Sequence, residues 1–365
     1  MRYLITGGGS GGHIYPALSI AEALRHLDPE ADVLYVGTAN SREAEVVPRA
    51  GLPFAVINSG RLINLGLAQK IKGGLQALKG VLDAIVHIRR FRPDVVVGTG
   101  GFVSGPVLLA AKLTGRPVVI QEQNAFPGVT NRIAARWARA VFVPYEEAKA
   151  HFPKGTRLIM AGNPVRPEVA AATREEGRKA FAIGEAEKVL VIMGGSGGAR
   201  DFNRAAADAV MLLDEPSLRV LHITGERYYE QTKEQYGERE NVTVLPYVHN
   251  MPEAYAAADA GLFRAGALTL AEIQVRALPS VLIPSPNVTH NHQEWNARTL
   301  EKRGAAIVLR EEGITPIKLA EALTQVLNDR EKASQISKAL EALAQPEAAK
   351  EIAQKIMAIA SKTQG

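Results

Sequence analysis

Cysteine and long hydrophobic runs are both missing from this 365-residue sequence. Without cysteine there is no disulfide framework, no thiolate nucleophile and no sulfur-ligated metal, as is typical of proteins in a reducing cytoplasm. The stretch nearest to a membrane span, residues 95–111, is uncharged but contains four glycines and a proline. Met1 and Arg2 lead directly into an apolar run and a glycine loop, which leaves no room for a signal peptide. We therefore expect an intracellular protein that does not cross a membrane.

Acidic residues are scarce in the first half of the chain. Residues 1–163 contain 19 Lys/Arg against 11 Asp/Glu, a net charge of +8, whereas residues 164–365 contain 24 against 27, or −3. Such an asymmetry favours an anionic partner for the first half, either nucleic acid or a membrane surface. The alternative is a basic face that is only solvated.

Short β-branched runs alternate with longer helical patterns, an order typical of βαβ units and parallel sheets. Turn-forming residues concentrate at 161–167, so we expect a domain boundary there, with domains 1–163 and 164–365. Each half opens with a strand, a glycine-rich turn and a helix. The predicted fold class is therefore α/β, with two Rossmann-like domains facing across a cleft. The tail, 333–362, predicts two helices bent at Pro346. The predicted strands are 3–6, 33–36, 95–97, 118–120, 141–143, 189–193, 220–223, 242–245, 281–283 and 306–309.

Three glycine-rich loops follow predicted strands, at 7–12, 98–105 and 194–198. Such loops let backbone N–H groups and a helix N-terminus approach a phosphate closely, although tight turns also need glycine for structural reasons alone. The second predicted strand ends without the acidic residue that a dinucleotide fingerprint requires, which disfavours an NAD enzyme. Two loops in the first half indicate a cradle for a diphosphate.

Glu272 falls in the first turns of a predicted helix that begins near Ala267. A carboxylate there can accept both hydroxyls of a ribose, and the alternative is an acid that stabilises the helix dipole. Polar side chains are dense at 285–297, after another strand. His290 and His292 form a close histidine pair without a second cluster of ligands, so we expect no metal site and no cofactor.

His13 follows the first glycine loop and is our candidate general base, because imidazole can remove a proton near neutral pH. The alternative is a capping or diphosphate-orienting role.

Residues 61–79 contain no acidic residue and mix apolar with basic side chains, a composition typical of a segment lying in an anionic membrane interface. Part of that apolar set, especially Leu75 and Leu78, could instead be the buried face of a helix.

Six segments together resemble the MurG family of lipid I N-acetylglucosaminyltransferases. The resemblance runs from Met1 to about Leu327 and implies a GT-B fold, inversion at the anomeric carbon and the product lipid II of peptidoglycan synthesis. It implies UDP-N-acetylglucosamine, lipid I, an anionic membrane surface and cell-wall synthesis proteins as partners, and not nucleic acid. It also implies a peripheral position on the cytoplasmic side of the cell membrane. The segments are 7–17, 98–106, 122–131, 162–166, 264–272 and 287–297.

Site residues are carried over from the resemblance residue by residue. Arg166 and Ser196 would face the donor diphosphate, Glu272 the ribose, and Asn124 and Gln293 the sugar. The first two loops of the N-terminal domain would hold the acceptor diphosphate through Gly9, Gly100, Gly101 and Ser104. The donor set implied is Ser10, Gly11, Gly12, Asn124, Arg166, Ser196, Val248, Ala267, Leu268, Thr269, Leu270, Ala271, Glu272 and Gln293.

Three positions depart from the family pattern. Ser10 stands where many members have threonine, and Gly197 stands where glutamine is frequent, which removes a possible side-chain contact to the donor. The family's His-Glu-Gln-Asn segment begins here with Gln121, so no acid–base role of that histidine carries over.

Two other functions remain open at this point. A UDP-N-acetylglucosamine 2-epimerase shares the sheet architecture, but it should have several acidic residues for proton abstraction, and the first half offers only Glu122 near a loop. A non-catalytic binder of lipid diphosphates is the other.

Overall fold

A computed structural model describes residues 1–60, 67–195, 197–213 and 215–362, with side chains described only from residue 76 onward in the helix that begins at Leu67. The described chain divides into two compact units. The first comprises Met1–Val165 together with the chain from Glu347 onward, and the second comprises Arg166–Pro346. Ser196 and residues 61–66, which the sequence analysis singled out, lie outside the described residues.

In the described part of the first unit, seven parallel strands form one sheet in the order β3-β2-β1-β4-β5-β6-β7. The strands are β1 (Arg2–Thr6), β2 (Asp32–Thr38), β3 (Phe54–Ile57), β4 (Val95–Gly98), β5 (Val118–Gln121), β6 (Ala140–Val143) and β7 (Leu158–Met160). The helices are α1 (Gly11–Leu27), α2 (Arg42–Arg49), α3 (Leu67–Phe91), α4 (Ser104–Leu113), α5 (Val129–Ala134) and, from the tail, α15 (Ala348–Ser361).

In the described part of the second unit, six parallel strands follow the order β10-β9-β8-β11-β12-β13. The strands are β8 (Lys188–Met193), β9 (Leu218–Ile223), β10 (Val242–Leu245), β11 (Ala260–Phe263), β12 (Ser280–Leu282) and β13 (Ile307–Val308). The helices are α6 (Pro167–Ala171), α7 (Arg174–Ala180), α8 (Arg200–Met211), α9 (Tyr229–Tyr236), α10 (Met251–Ala257), α11 (Ala267–Val275), α12 (His292–Glu301), α13 (Pro316–Leu327) and α14 (Arg330–Leu343).

When strands are counted from the start of each unit, the second sheet has the 3-2-1-4-5-6 order of the doubly wound fold, and the first has the same order with a seventh strand at its end. The predicted α/β class with two Rossmann-like units is confirmed. In each sheet the order reverses between the first and fourth strands, and ligands bind at such switch points beyond the carboxyl ends of the strands. The loops that follow β1 and β4, and those that follow β8 and β11, lie at these switch points.

The tail differs from the predicted boundaries, which assigned all of 164–365 to the second domain. Two helices flank Pro346 as expected, but α15 packs against α1 in the first unit. Ile352, Ala353 and Ile356 are fully buried in the same core as Tyr3 and Ile14. An apolar helix face that completes this core is removed from water, which explains why the last helix belongs to the first unit.

Candidate active site

The first two glycine loops interlock at the switch point of the first sheet. The N–H of Gly8 donates to the carbonyl of Gly100 at 3.3 Å. Gly101 has a φ of +83°, and a Cβ at this position would overlap the carbonyl of Gly8. Glycine is therefore required at 101 both by the backbone angle and by the close approach of the two loops. The side-by-side arrangement predicted for the loops is present.

The groups predicted to bind the acceptor diphosphate are not equivalent. Gly9 donates its N–H to Oε2 of the buried Glu43 at 3.2 Å. The hydroxyl of Ser104 is buried and donates to the carbonyls of Thr6 and Gly100. The N–H of Gly9 and the hydroxyl of Ser104 thus already have hydrogen-bond partners within the protein. Gly100 and Gly101 are therefore the better candidates to bind an anion. The diphosphate assignment of all four stays a prediction.

His13 lies in the first turn of α1, within the first unit. Its Nδ1 is 3.0 Å from the carbonyl oxygen of Thr99 and 3.0 Å from Oε1 of Gln123. Thr99 in turn donates its hydroxyl to the carbonyl of His13 at 2.7 Å. These bonds hold the imidazole beside the second glycine loop. Ser10, Gly11 and Gly12, predicted donor contacts, form the N-cap and first residues of the same helix.

Glu122 is a buried carboxylate that organises the loop after β5. Its Oε1 accepts hydrogen bonds from the backbone N–H of Gln123 and from the N–H and side chain of Asn124. Its Oε2 accepts from the N–H of Gly128 and the side chain of Asn131. Five hydrogen bonds use the acceptor sites of both carboxylate oxygens. Glu122 is therefore poorly placed to abstract a proton, as an epimerase would require.

Four loops meet at the carboxyl edge of the second sheet, because its strands are parallel. They contain the third glycine loop after β8, Val248 after β10, Arg264–Gly266 after β11 and the polar segment after β12. Gly198 has a φ of +70° and packs so closely on Thr224 and Gly225 that a Cβ would overlap the Thr224 carbonyl. Gly198 thus packs against the backbone of Thr224 and against the ring of Tyr228.

Arg166, Glu272 and Tyr255 form one cluster in the second unit. Glu272 Oε1 is 3.4 Å from Arg166 Nη2, and Oε2 accepts a 2.9 Å hydrogen bond from the Tyr255 hydroxyl. The Glu272 side chain is 15% exposed. Burial raises the pKa of Glu272 above its ordinary value, and Arg166 and Tyr255 oppose that rise. The helix begins at Ala267 as predicted, so Ala267 to Ala271 form its first turns.

The polar segment after β12 contains two consecutive residues in the left-handed region, His290 (φ 55°) and Asn291 (φ 51°). Non-glycine residues adopt this conformation at a cost, and such strain concentrates at functional sites. Gln293 follows in α12, and its Oε1 accepts from the N–H of Ser285 at 2.8 Å. Because the amide oxygen of Gln293 is used in that bond, its amide nitrogen is the group that can donate to a hydroxyl oxygen.

Three residues that sequence reasoning missed support these groups. Arg264 is buried and donates to the carbonyls of Ile283 and Pro284, which ties the loops after β11 and β12 together. Tyr255 and Gln123 hold Glu272 and His13 respectively. Arg264 and Gln123 lie within the segments 264–272 and 122–131 that carry the resemblance, but neither was singled out there, and Tyr255 lies outside those segments.

The described part of the chain contains no group of three His, Asp or Glu side chains that could hold a metal ion. The ring of His292 instead bonds the carbonyl of Thr289. No helix of this part combines the length and apolar composition of a membrane span.

Models of two domains of one family match the chain. The glycosyltransferase family 28 N-terminal domain matches residues 3–143, and the glycosyltransferase family 28 C-terminal domain matches residues 189–356. A protein of Symbiobacterium thermophilum is 71% identical over 364 residues, which cover 100% of this chain and 97% of that protein. A protein of Moorella thermoacetica is 44% identical and covers 98% of each chain. Both are named UDP-N-acetylglucosamine--N-acetylmuramyl-(pentapeptide) pyrophosphoryl-undecaprenol N-acetylglucosamine transferase.

Solved structures give the same fold class. MurG of Acinetobacter baumannii superposes with a TM-score of 0.78 at 28% identity, over 98% of this chain and 99% of that one. UDP-GlcNAc 2-epimerase of Neisseria meningitidis superposes with a TM-score of 0.68 at 14% identity, over 99% and 100%. At that identity the second likeness shows the fold alone. The GT-B class is confirmed, and the choice between transferase and epimerase depends on the family and the site.

Proposed function

The chain belongs to glycosyltransferase family 28, and we infer that it transfers N-acetylglucosamine from UDP-N-acetylglucosamine to the undecaprenyl-pyrophosphoryl muramyl pentapeptide called lipid I, giving lipid II. The observation that carries this inference is the 71% identity to a protein named for that reaction, over the whole of this chain. At this level of identity the donor and acceptor are expected to be the same.

The reaction requires one bond to form and one to break, with inversion at the anomeric carbon. The 4-hydroxyl of the muramyl sugar attacks the anomeric carbon of N-acetylglucosamine, the bond from that carbon to the diphosphate breaks, and UDP leaves with the electron pair. His13 takes the hydroxyl proton. Its place in the first turn of α1, beside two glycine loops that suit the acceptor diphosphate, supports this role.

Groups of the second unit hold the donor. Glu272 accepts the ribose hydroxyls, and Gln293 donates to a hydroxyl of the sugar. Arg166 and the first turns of α11 stabilise the charge that develops on the leaving diphosphate, together with backbone donors of the third loop. The ion pair between Arg166 and Glu272 supports a common site for ribose and diphosphate, since these groups are neighbours in UDP.

An exposed apolar face in the first unit supports a peripheral position on the cytoplasmic side of an anionic membrane. Leu78, Leu82 and Val86 are 59%, 58% and 63% exposed at a spacing of four residues along α3. Leu113 on the adjacent α4 is 64% exposed. The alternative that Leu78 is buried is therefore wrong. Residues four apart share one side of a helix, so we call Leu78, Leu82 and Val86 the apolar face.

Basic side chains occur along α3, along α4, which packs against it, and in the segment after α4. Lys112 lies 4.7 Å from the ring of Trp137. Apolar side chains inserted between headgroups, with cations beside them, suit an anionic lipid surface. The enzyme of a lipid-linked acceptor gains from such a contact, because the diphosphate projects from the headgroups. The basic residues are Lys79, Arg89, Arg90, Lys112 and Arg116.

Turnover of labelled UDP-N-acetylglucosamine with a short-chain lipid I analogue tests the proposed reaction. The expected result is a labelled disaccharide product that forms only when the acceptor is present. Formation of the 2-epimer of the donor without acceptor would instead indicate an epimerase. Binding of the analogue without turnover would indicate a non-catalytic binder.

A further inference from the structure

The hydrogen-bond partners of His13 determine which ring nitrogen carries the proton. Nδ1 lies 3.0 Å from the carbonyl oxygen of Thr99. A backbone carbonyl can only accept a hydrogen bond. The hydrogen of the neutral imidazole is therefore on Nδ1, provided that the second neighbour, Oε1 of Gln123 at 3.0 Å, is also an acceptor.

The amide of Gln123 can take only one orientation. Its nitrogen is 2.8 Å from the carbonyl of Thr99 and 3.0 Å from the carbonyl of Gln121, and it also contacts Oε1 of Gln121. Reversing the amide would place an oxygen against three oxygens in a buried site. The nitrogen must therefore face these oxygens, and the amide oxygen must face the ring of His13.

Hydrogen bonds made by Gln121 and Asn163 support this orientation of the Gln123 amide. The side-chain nitrogen of Gln121 donates to the carbonyl of Glu122 at 3.0 Å and to Oδ1 of Asn163 at 3.0 Å. The side-chain nitrogen of Asn163 donates to the carbonyl of Gln123 at 2.9 Å. All three amides are buried, so each donor and acceptor is constrained by its neighbours rather than by water.

Two glycines of the second loop pack against the imidazole of His13. A Cβ at Gly100 would lie 3.0 Å from Nδ1, and a Cβ at Gly101 would lie 3.2 Å from Cδ2. The ring is therefore packed against backbone on the side of the second glycine loop. Among the described residues, the opposite ring nitrogen, Nε2, has no hydrogen-bond partner.

We propose that Gln123, oriented by Gln121 and Asn163, is a positioning residue that holds His13 as the tautomer with hydrogen on Nδ1 and a lone pair on Nε2. This inference rests on the proposed function for the use of that lone pair, which is to take the proton of the attacking hydroxyl. We call the side-chain amides of Gln121, Gln123 and Asn163 the amide network. It orients the imidazole of His13 as a carboxylate orients the histidine base in other enzymes. Gln121, which replaces the histidine usual in the family, belongs to this network.

Nitrogen-15 NMR of the full chain, labelled in its histidine rings, reads the tautomer directly. The spectrum is recorded at about pH 8, where an ordinary imidazole is neutral. The signal of His13 is assigned by its absence in His13→Gln. A protonated Nδ1 and an unprotonated Nε2 are expected. A protonated Nε2, or an equal mixture of the two tautomers, would overturn the proposal.

Gln123→Met adds a kinetic test. We expect kcat to fall about tenfold while the KM for UDP-N-acetylglucosamine stays within about twofold, with a second tautomer visible in the spectrum. Gln235→Met is the matched control, since it removes an amide that bonds Arg204 and Asp208 far along the chain. Equal kcat in the two variants, with one unchanged tautomer, would contradict the role of Gln123.

The spectrum and the activity assay separate this proposal from the proposed function. The tautomer is decided on the unmodified chain, even if Gln123→Met fails to fold. If the spectrum shows the other tautomer, the role of the amide network is refuted whatever the activity of the protein. If kcat of His13→Ala falls only a few-fold, the assignment of His13 as general base is refuted, while the role of the amide network in fixing the tautomer is not.

Discussion

The hydroxyl of Tyr255 donates a 2.9 Å hydrogen bond to Oε2 of Glu272 and so fixes the rotation of that carboxylate. The other oxygen, Oε1, is paired with Arg166. A carboxylate has about four sites for accepting hydrogen bonds, so each oxygen keeps one for a ribose hydroxyl. Arg166 and Tyr255 therefore orient Glu272 for a sugar diol without occupying all of its capacity.

Glu272→Gln should raise the KM for UDP-N-acetylglucosamine about tenfold and change kcat less. The ribose contact is present in the ground state and in the transition state alike, so its loss weakens binding rather than chemistry. Tyr255→Phe should give a smaller rise of the same kind, with Tyr229→Phe as a matched control on α9. Steady-state kinetics with a soluble acceptor measure these constants. An unchanged donor KM in Glu272→Gln would contradict the ribose assignment.

The pH dependence of donor binding should report the raised pKa of Glu272. Burial is the main cause of the rise, so Glu272 gains its proton at a higher pH than an ordinary glutamate does. The protonated form loses acceptor capacity, and the donor KM should therefore increase as the pH falls. Measuring the donor KM between about pH 5 and 8 tests this. The increase should be absent in Glu272→Gln, and an identical profile in both proteins would point to another group.

The sequence predicted the glycine loops and the strand-to-helix turns well, because these features depend on residues close together in the chain. The edge strands Phe54–Ile57 and Leu158–Met160 were missed, and they are short and partly exposed, so the hydrophobic pattern is weak. The supporting hydrogen bonds were also missed. Gln123 meets Thr99 across 24 residues, and such a contact exists only once the sheet has formed.

His222 should make the second unit sensitive to acid. It is fully buried between Tyr236 and Asn203, and burial lowers its pKa to about 3. The unfolded chain binds this proton near about pH 6.5, so the stabilisation is complete above that pH and is lost as the pH falls towards 3. The loss approaches about 1.4 kcal/mol per pH unit for this one group.

Denaturant unfolding at about pH 7 and pH 5 measures the effect, with an expected difference of about 2 kcal/mol from His222. A Trp137→Phe background leaves Trp295 as the one remaining tryptophan, so its fluorescence follows the second unit. His222→Gln should lower the free energy of unfolding at pH 7 but reduce its dependence on pH. Equal pH dependence in the two proteins would assign the acid sensitivity elsewhere.

Turnover should survive chelation with EDTA to within about twofold. The described residues offer no cluster of metal ligands, so backbone donors and Arg166 are expected to stabilise the leaving UDP. Arg166→Ala should then lower kcat about a hundredfold, since such stabilisation contributes several kcal/mol. Loss of turnover in EDTA that a divalent ion restores would show that a metal supplies this charge.

Replacing Leu78, Leu82 and Val86 by serine should weaken binding to anionic vesicles while turnover of a soluble acceptor is unchanged. These side chains lie exposed on α3, so their replacement removes apolar contact with lipid without opening a core. Serine at Met211, Leu212 and Ile317 is the matched control, because these residues of the second unit are 42%, 53% and 64% exposed. Vesicle sedimentation at low and high salt separates the electrostatic and apolar contributions to membrane binding. Each Lys or Arg near the surface contributes about 1 kcal/mol, and salt weakens this contribution. The apolar contribution persists at high salt. If the two triple variants bind vesicles equally well, the membrane contact lies outside the apolar face.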